Sequence, residues 1–248
     1  MHVATFGDPA GRPLLLLHGG GVAGWMWEPV RTHIDSGVRA IVPDLPGHGH
    51  SRDATYDSHA ITVAALAGVL QKVGRPATVV GFSLGAQLTV QLAADFPELV
   101  RNVVVISAQA MPMRMTRPTL ALLGVTAGLA SKEWFARLQA RQLFIPDELL
   151  ADYVRTSAAI SRETLLRSVE ENLRFTPSAS WRTYTGAASI LVGVGEKSLM
   201  KRSAALLHDS LPHSTLEAVD GCGHGIPLQR PAWLARRIEA MLSASDSP

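Results

Sequence analysis

The chain has almost no cysteine. Its 248 residues contain one, Cys222, which excludes an internal disulfide framework, a zinc ribbon and a cysteine-held iron–sulfur cluster. It has no surplus of charge either: 23 basic against 21 acidic side chains leave a net +2. No electrostatic footprint points to nucleic acid, and a sequence pI of 8.9 rests on that surplus of two alone. Long apolar runs are missing as well. Leu14–Leu17 is far too short to span a bilayer, and the first residues lack the basic start and apolar stretch of a signal peptide. Neither Asn102 nor Asn172 is followed by Ser or Thr two positions on, so there is no glycosylation acceptor. From these absences a soluble cytoplasmic protein is the expectation. Aromatic residues are sparse at 6%, yet Trp25 and Trp27 sit together.

What is present is a core. Hydrophobic residues reach 47% and charged ones 18%, which excludes disorder as the main state, and the length suits one large domain or two small ones. Short apolar runs at Pro13–Leu17, Arg39–Val42, Ala77–Val80, Val100–Ile106, Ser189–Val194 and Thr215–Val219 read as strands, several of them apolar on both faces as buried parallel strands are. Helices are expected over His59–Val73, Leu84–Phe96 and Pro227–Leu242. The alternation implies a parallel sheet with helices on both faces. It breaks over 111–181, where Thr116–Ala130, Lys132–Gln142, Asp147–Ala159 and Arg162–Leu173 read as successive helices punctuated by Pro118, Pro146 and Pro177. A helical insertion there suggests a lid, because ligand sites form at the strand C-termini. Met111, Met113, Met115, Leu120, Leu122 and Leu123 give it an apolar character.

Three segments can carry chemistry. Gly81-Phe82-Ser83-Leu84-Gly85 fits Gly-x-Ser-x-Gly between a strand and a helix. A serine at the apex of so tight a turn is strained, and its neighbours two residues away must lack side chains for strand and helix to approach. The Ser83 hydroxyl then stands clear of the sheet, and the Leu84 amide opens the helix, where it can stabilise an anion. Gly221-Cys222-Gly223-His224-Gly225 follows the last strand and offers His224 as a base. His18-Gly19-Gly20-Gly21 follows the first. Its glycine amides can point at an oxyanion, with Gly20 the best donor beside Leu84 and Gly21 a weaker one. Trp25 and Trp27, directly after it, are expected to wall the substrate pocket. Gly19-Gly20-Gly21-Val22-Ala23-Gly24, with Asp44 further on, also spells a dinucleotide fingerprint. That reading is rejected, since Trp25, Met26 and Trp27 crowd the turn and it leaves Ser83 and His224 unexplained. A metal held by His48, His50 and His59 is set aside, because loop histidines two apart without an Asp or Cys cluster are usually structural. Cys222 reads as a small buried residue.

With these motifs in this order, together with Pro43-Asp44-Leu45-Pro46-Gly47-His48-Gly49-His50-Ser51, the chain resembles the α/β-hydrolase fold superfamily, in its compact lidded bacterial serine hydrolase/esterase branch. The resemblance implies a mostly parallel central sheet, a core of residues 1–110 and 182–248, and a helical lid over 111–181. It implies an ester-cleaving Ser–His–acid triad, and turn-bracing roles for Asp44 and Ser51. The family's usual acid position, on the loop after the penultimate strand, falls on Ser198. The nearest carboxylate there is Glu196, two residues early. The alternative acid position, after Val103–Ile106, holds Ser107, Ala108 and Gln109. The acid is therefore Glu196, or Asp220, or a carboxylate from elsewhere, or the pair acts without one. The expectation is a serine hydrolase acting on a small apolar ester through an acyl-enzyme, with no cofactor, no metal, no nucleic acid and no membrane. The alternative is a non-hydrolytic member of the fold: a lyase, a cofactor-free peroxidase-like enzyme or a ligand receptor.

Overall fold

The computed structural model describes residues 1–113, 118, 120, 121 and 133–244. The helix expected over Thr116–Ala130 lies almost wholly outside the described residues, with Met115, Leu122 and Leu123, and so does the end of the chain.

Seven strands form one sheet: β1 (Val3–Phe6), β2 (Arg12–Leu17), β3 (Val38–Pro43), β4 (Ala77–Phe82), β5 (Val100–Ile106), β6 (Ala188–Gly193) and β7 (Thr215–Val219), in the order β1-β3-β2-β4-β5-β6-β7. All neighbours are parallel except β1, which runs antiparallel to β3 with Val3 opposite Pro43. The six expected strands are these minus β1. That strand is four residues long, lies at the sheet edge and is half exposed, so it carries little apolar pattern.

The described helices are α1 (Glu28–Arg31), α2 (His59–Val73), α3 (Leu84–Asp95), α4 (Glu133–Gln142), α5 (Leu150–Ala159), α6 (Arg162–Arg174), α7 (Ser198–Asp209), α8 (Ile226–Gln229) and α9 (Pro231–Ala244). Local chemistry sets several ends. The Ser58 hydroxyl accepts from the Ile61 amide to start α2, and Gly74, at φ +75, ends it in the left-handed turn that suits glycine. Ser161 caps α6 in the same way through the Thr164 amide. The single helix expected over Pro227–Leu242 is two. Pro231 has no amide to continue the first and restricts Arg230, which takes φ −136 and ψ 50. Helix α7 lies outside the expected helices; Lys201 and Arg202 interrupt its apolar pattern.

Alternate residues of each strand feed opposite faces. Leu15, Leu17, Val79, Val103 and Val105 pack with Leu66, Leu70, Leu88 and Leu207 on one side. Leu14, Leu16, Val80, Val104 and Ile106 pack with Val30, Leu234 and Ile238 on the other. This two-sided packing explains why the strands read as continuous apolar runs. It leaves the C-terminal ends of β2, β4, β5, β6 and β7 as the edge where loops converge.

Candidate active site

Ser83 sits between β4 and α3 at φ +54 and ψ −111, one of three described non-glycine residues with positive φ. The glycines on either side explain how so sharp a turn fits. A Cβ on Gly81 would fall on the carbonyl oxygen of Gly85, and one on Gly85 would fall on that of Leu17. Backbone cannot yield there, so only hydrogen is accommodated. The Ser83 amide donates to the Ile106 carbonyl at 2.9 Å, tying the turn to the end of β5.

The loop after β7 brings His224 to this serine. The Ser83 Oγ–H donates to His224 Nε2 at 3.0 Å, and the His224 Nδ1–H donates to Glu196 Oε2 at 2.9 Å. The imidazole packs against Phe82 with ring centroids 5.1 Å apart. The His224 side chain is about one-third exposed and that of Glu196 is 1% exposed, so the chain of bonds runs from an accessible end to a dry one. The other carboxylate oxygen, Oε1, accepts from the Ser107 hydroxyl at 2.5 Å and from the Gly193 amide at 3.0 Å. Burial pushes the Glu196 carboxyl upward, but the bonds from His224, Ser107 and the Gly193 amide outweigh it and hold the group below the usual carboxylate range.

A tight turn after β6 explains why a carboxylate at 196, and not one at 198, faces the histidine. The Glu196 amide donates to the Gly193 carbonyl at 3.0 Å, and the Gly195 amide to that of Cys222 at 2.8 Å. This folds Glu196 back over the strand end. Ser198 is already the first residue of α7. Asp220 takes no part in this chain; its carbonyl accepts from Arg230.

The His18–Gly21 loop lies beside the serine. A Cβ on Gly19 would be 3.5 Å from the Ser83 Cβ, and one on Gly20 would touch only the Leu84 side chain, at 3.8 Å. Gly20 is exposed in the loop after β2, and Leu84 opens α3 directly after Ser83. His18 anchors this loop. It is fully buried, its Nδ1–H donates to the Gly19 carbonyl at 2.7 Å and its Nε2 accepts from the Leu45 amide at 2.9 Å. Burial, helped by nearby His48, lowers its pKa to about 3, so it is a neutral strut.

Of the two tryptophans expected at the pocket, Trp27 departs from the expectation. Trp27 is not a pocket wall: it is fully buried in the core beneath β2 with Leu14, Leu16 and Val30, because the short turn over Gly24–Trp27 rolls its side chain under the sheet. Trp25 is half-buried and its indole N–H donates to Thr156 on α5 at 3.0 Å, which links the glycine loop to the helices that follow β5. The link between α4 and α5 also reaches the histidine loop, since a Cβ on Gly223 would come within 2.8 Å of the Phe144 ring.

Asp44 braces loops. It accepts from the Gly24 amide at 2.7 Å and the His50 amide at 2.8 Å, which leaves no ribose-binding carboxylate. His48 and His59 point elsewhere, to Pro46 and to Tyr56 and Gln87. Among the described residues, the group able to surround a cation is His2, Asp44 and His50, with ligand atoms within 4.8 Å of one another. Cys222 is 2% exposed. A cavity of about 1070 Å³ is lined by Met111, Pro112, Arg182 and Arg202 among others and includes none of Ser83, His224 and Glu196.

The model of the alpha/beta hydrolase family matches residues 14–237. The chain belongs to this family. A pimeloyl-[acyl-carrier protein] methyl ester esterase of Aromatoleum aromaticum is 27% identical, over 91% of this chain and 96% of the relative. A 2-hydroxymuconate semialdehyde hydrolase of Pseudomonas putida is 26% identical, over 96% and 89%. Among solved structures, an esterase from Exiguobacterium antarcticum superposes with a TM-score of 0.84 at 18% identity, covering 98% of this chain and 95% of its own. That last likeness is one of fold. The motifs of this hydrolase chain at residues 18–21, 81–85 and 221–225 all fall inside the matched span.

The fold gathers Ser83, His224, Glu196, Gly20 and Leu84, the residues the sequence singled out, at one end of the sheet. Sequence reasoning missed Ser107 as a partner of Glu196. The available signal was its position directly after β5, one of two places where the family carries an acid.

Proposed function

We propose that the protein is a serine hydrolase that cleaves a carboxylic ester of a small, mostly apolar molecule through an acyl-enzyme. The observation that carries this is the continuous chain Ser83 Oγ–His224 Nε2 and His224 Nδ1–Glu196 Oε2, at 3.0 and 2.9 Å. The esterase relatives support the class of bond cleaved.

In this reading Ser83 attacks the ester carbonyl while His224 takes its proton. Glu196 holds the imidazole in the Nδ1–H tautomer and stabilises its charged form. The amides of Gly20 and Leu84 bind the developing oxyanion. His224 returns the proton to the departing alcohol; a water activated by the same histidine then releases the acid. The segment 111–181 acts as a lid, a role supported by the contacts of Phe144 with the histidine loop and of Trp25 with Thr156. The alternative is a lyase, a peroxidase-like enzyme or a receptor; the Glu196–His224 contact supports the hydrolase reading over it. No described helix is long and apolar enough to cross a membrane.

The test is turnover of p-nitrophenyl acetate and butyrate together with labelling by a fluorophosphonate. Rapid labelling mapped to Ser83 and turnover abolished in Ser83→Ala support the reading. Full activity in Ser83→Ala overturns it.

A further inference from the structure

Ser107 directly follows β5, has φ +55 and is 2% exposed. A non-glycine residue in the left-handed region is strained, and such strain persists only where the surroundings impose it. Here two bonds do. The Ser107 amide donates to the Leu191 carbonyl of β6 at 2.9 Å, and its hydroxyl donates to Glu196 Oε1 at 2.5 Å. The first ties the residue to the strand that leads into the Glu196 turn. The second places a short, buried, charge-assisted bond on the carboxylate oxygen that does not face the histidine.

A carboxylate on a two-carbon stem can rotate and offer either oxygen in many directions. Glu196 also comes from a turn two residues before the usual acid position, so its reach alone does not fix its aim. Oε1 is held from two sides, by the Gly193 amide at 3.0 Å and by Ser107. With Oε1 held, Oε2 has one direction left, towards His224 Nδ1. We infer that Ser107 is a positioning residue for the reaction: from the end of β5 it clamps a carboxylate supplied by the loop after β6, so that the acid meets His224 from its displaced position. This rests on the serine-hydrolase reading of the same site.

The test uses Ser107→Gly and Ser107→Ala in the full chain, assayed with p-nitrophenyl acetate. Glycine removes the hydroxyl and relieves the positive φ; alanine removes the hydroxyl and keeps the strain. The two variants should therefore differ in Tm, the glycine form melting higher, yet lose kcat alike, by about 10- to 100-fold, the range expected for a lost bond to a charged group. KM should change by less than about twofold, since Ser107 touches no substrate. The acid limb of kcat/KM should move to higher pH, because Glu196 with one donor fewer is more basic and holds the imidazole proton more tightly. Wild-type kcat and acid limb in Ser107→Gly, or a kcat that follows Tm across the two variants, would overturn the inference. With Ser83→Ala run alongside, its loss of activity beside an unaffected Ser107→Gly removes this inference alone. An active Ser83→Ala removes the hydrolase reading and this inference with it.

Discussion

Glu196 is where single-residue physics is most exposed. It is a buried carboxylate that stays ionised because three donors outweigh the penalty of burial. Replacing it with glutamine keeps the shape and removes the charge that favours the imidazolium. We expect kcat for p-nitrophenyl acetate to fall by about 10²- to 10⁴-fold with little change in KM. The same residue links stability to pH. Its folded pKa lies below its unfolded one, so its contribution is present above the ordinary carboxylate pKa and is lost as pH falls through the depressed value. The stability gap between wild type and Glu196→Gln, read from urea unfolding, should therefore be larger at pH 7 than at pH 3. A gap that is equal at both would mean that the carboxylate is not held as described.

Packing between elements decides how much could be read in advance. Strands β2 to β7 were legible because each is buried on both faces and reads as a run of Val, Ile and Leu. The Ser83 turn was legible because its steric demands leave glycine as the fitting residue at 81 and 85. Gly85→Ala puts a methyl group on the Leu17 and His18 carbonyl oxygens. We expect it to cost at least about 2 kcal/mol in chemical denaturation, with activity lost because the start of α3 must move away from the end of β2. What stayed hidden depends on contacts across the sheet. Ser107 meets Glu196 from 89 positions away, and a lone serine at a strand end carries no pattern. Trp27 looked like a pocket residue from its neighbour Trp25, but a short turn sends the two indoles in different directions. The same logic hides Gln87, fully buried on α3, whose amide N–H groups reach the Gln109 and Asn172 carbonyls and whose oxygen meets His59 Nε2. Gln87→Leu strands those partners, and its thermal unfolding should fall by the equivalent of about 1–3 kcal/mol.

At the scale of the whole molecule, buried histidines govern the acid response. His18 has its pKa lowered from 6.5 to about 3, and burial lowers that of His48 too. Both take up protons more readily when unfolded, so stability falls as pH drops below about 6.5, before most carboxylates titrate. The expected slope in urea unfolding between pH 6.5 and 5 is on the order of 1 kcal/mol per pH unit from His18, with His48 acting in the same direction; a flat profile there would contradict a neutral, load-carrying His18. A sheet held this firmly brings together at its C-terminal edge residues that lie 141 positions apart in the chain, and that convergence is the basis of the functional claim. Rapid quenching of turnover with p-nitrophenyl acetate, followed by peptide mapping by mass spectrometry, tests it most directly. The account predicts an acetyl group on Ser83 during turnover, absent from Ser83→Ala. Turnover with Ser83 unmodified at every quench time, or acetyl transfer to another residue that survives in Ser83→Ala, would contradict it.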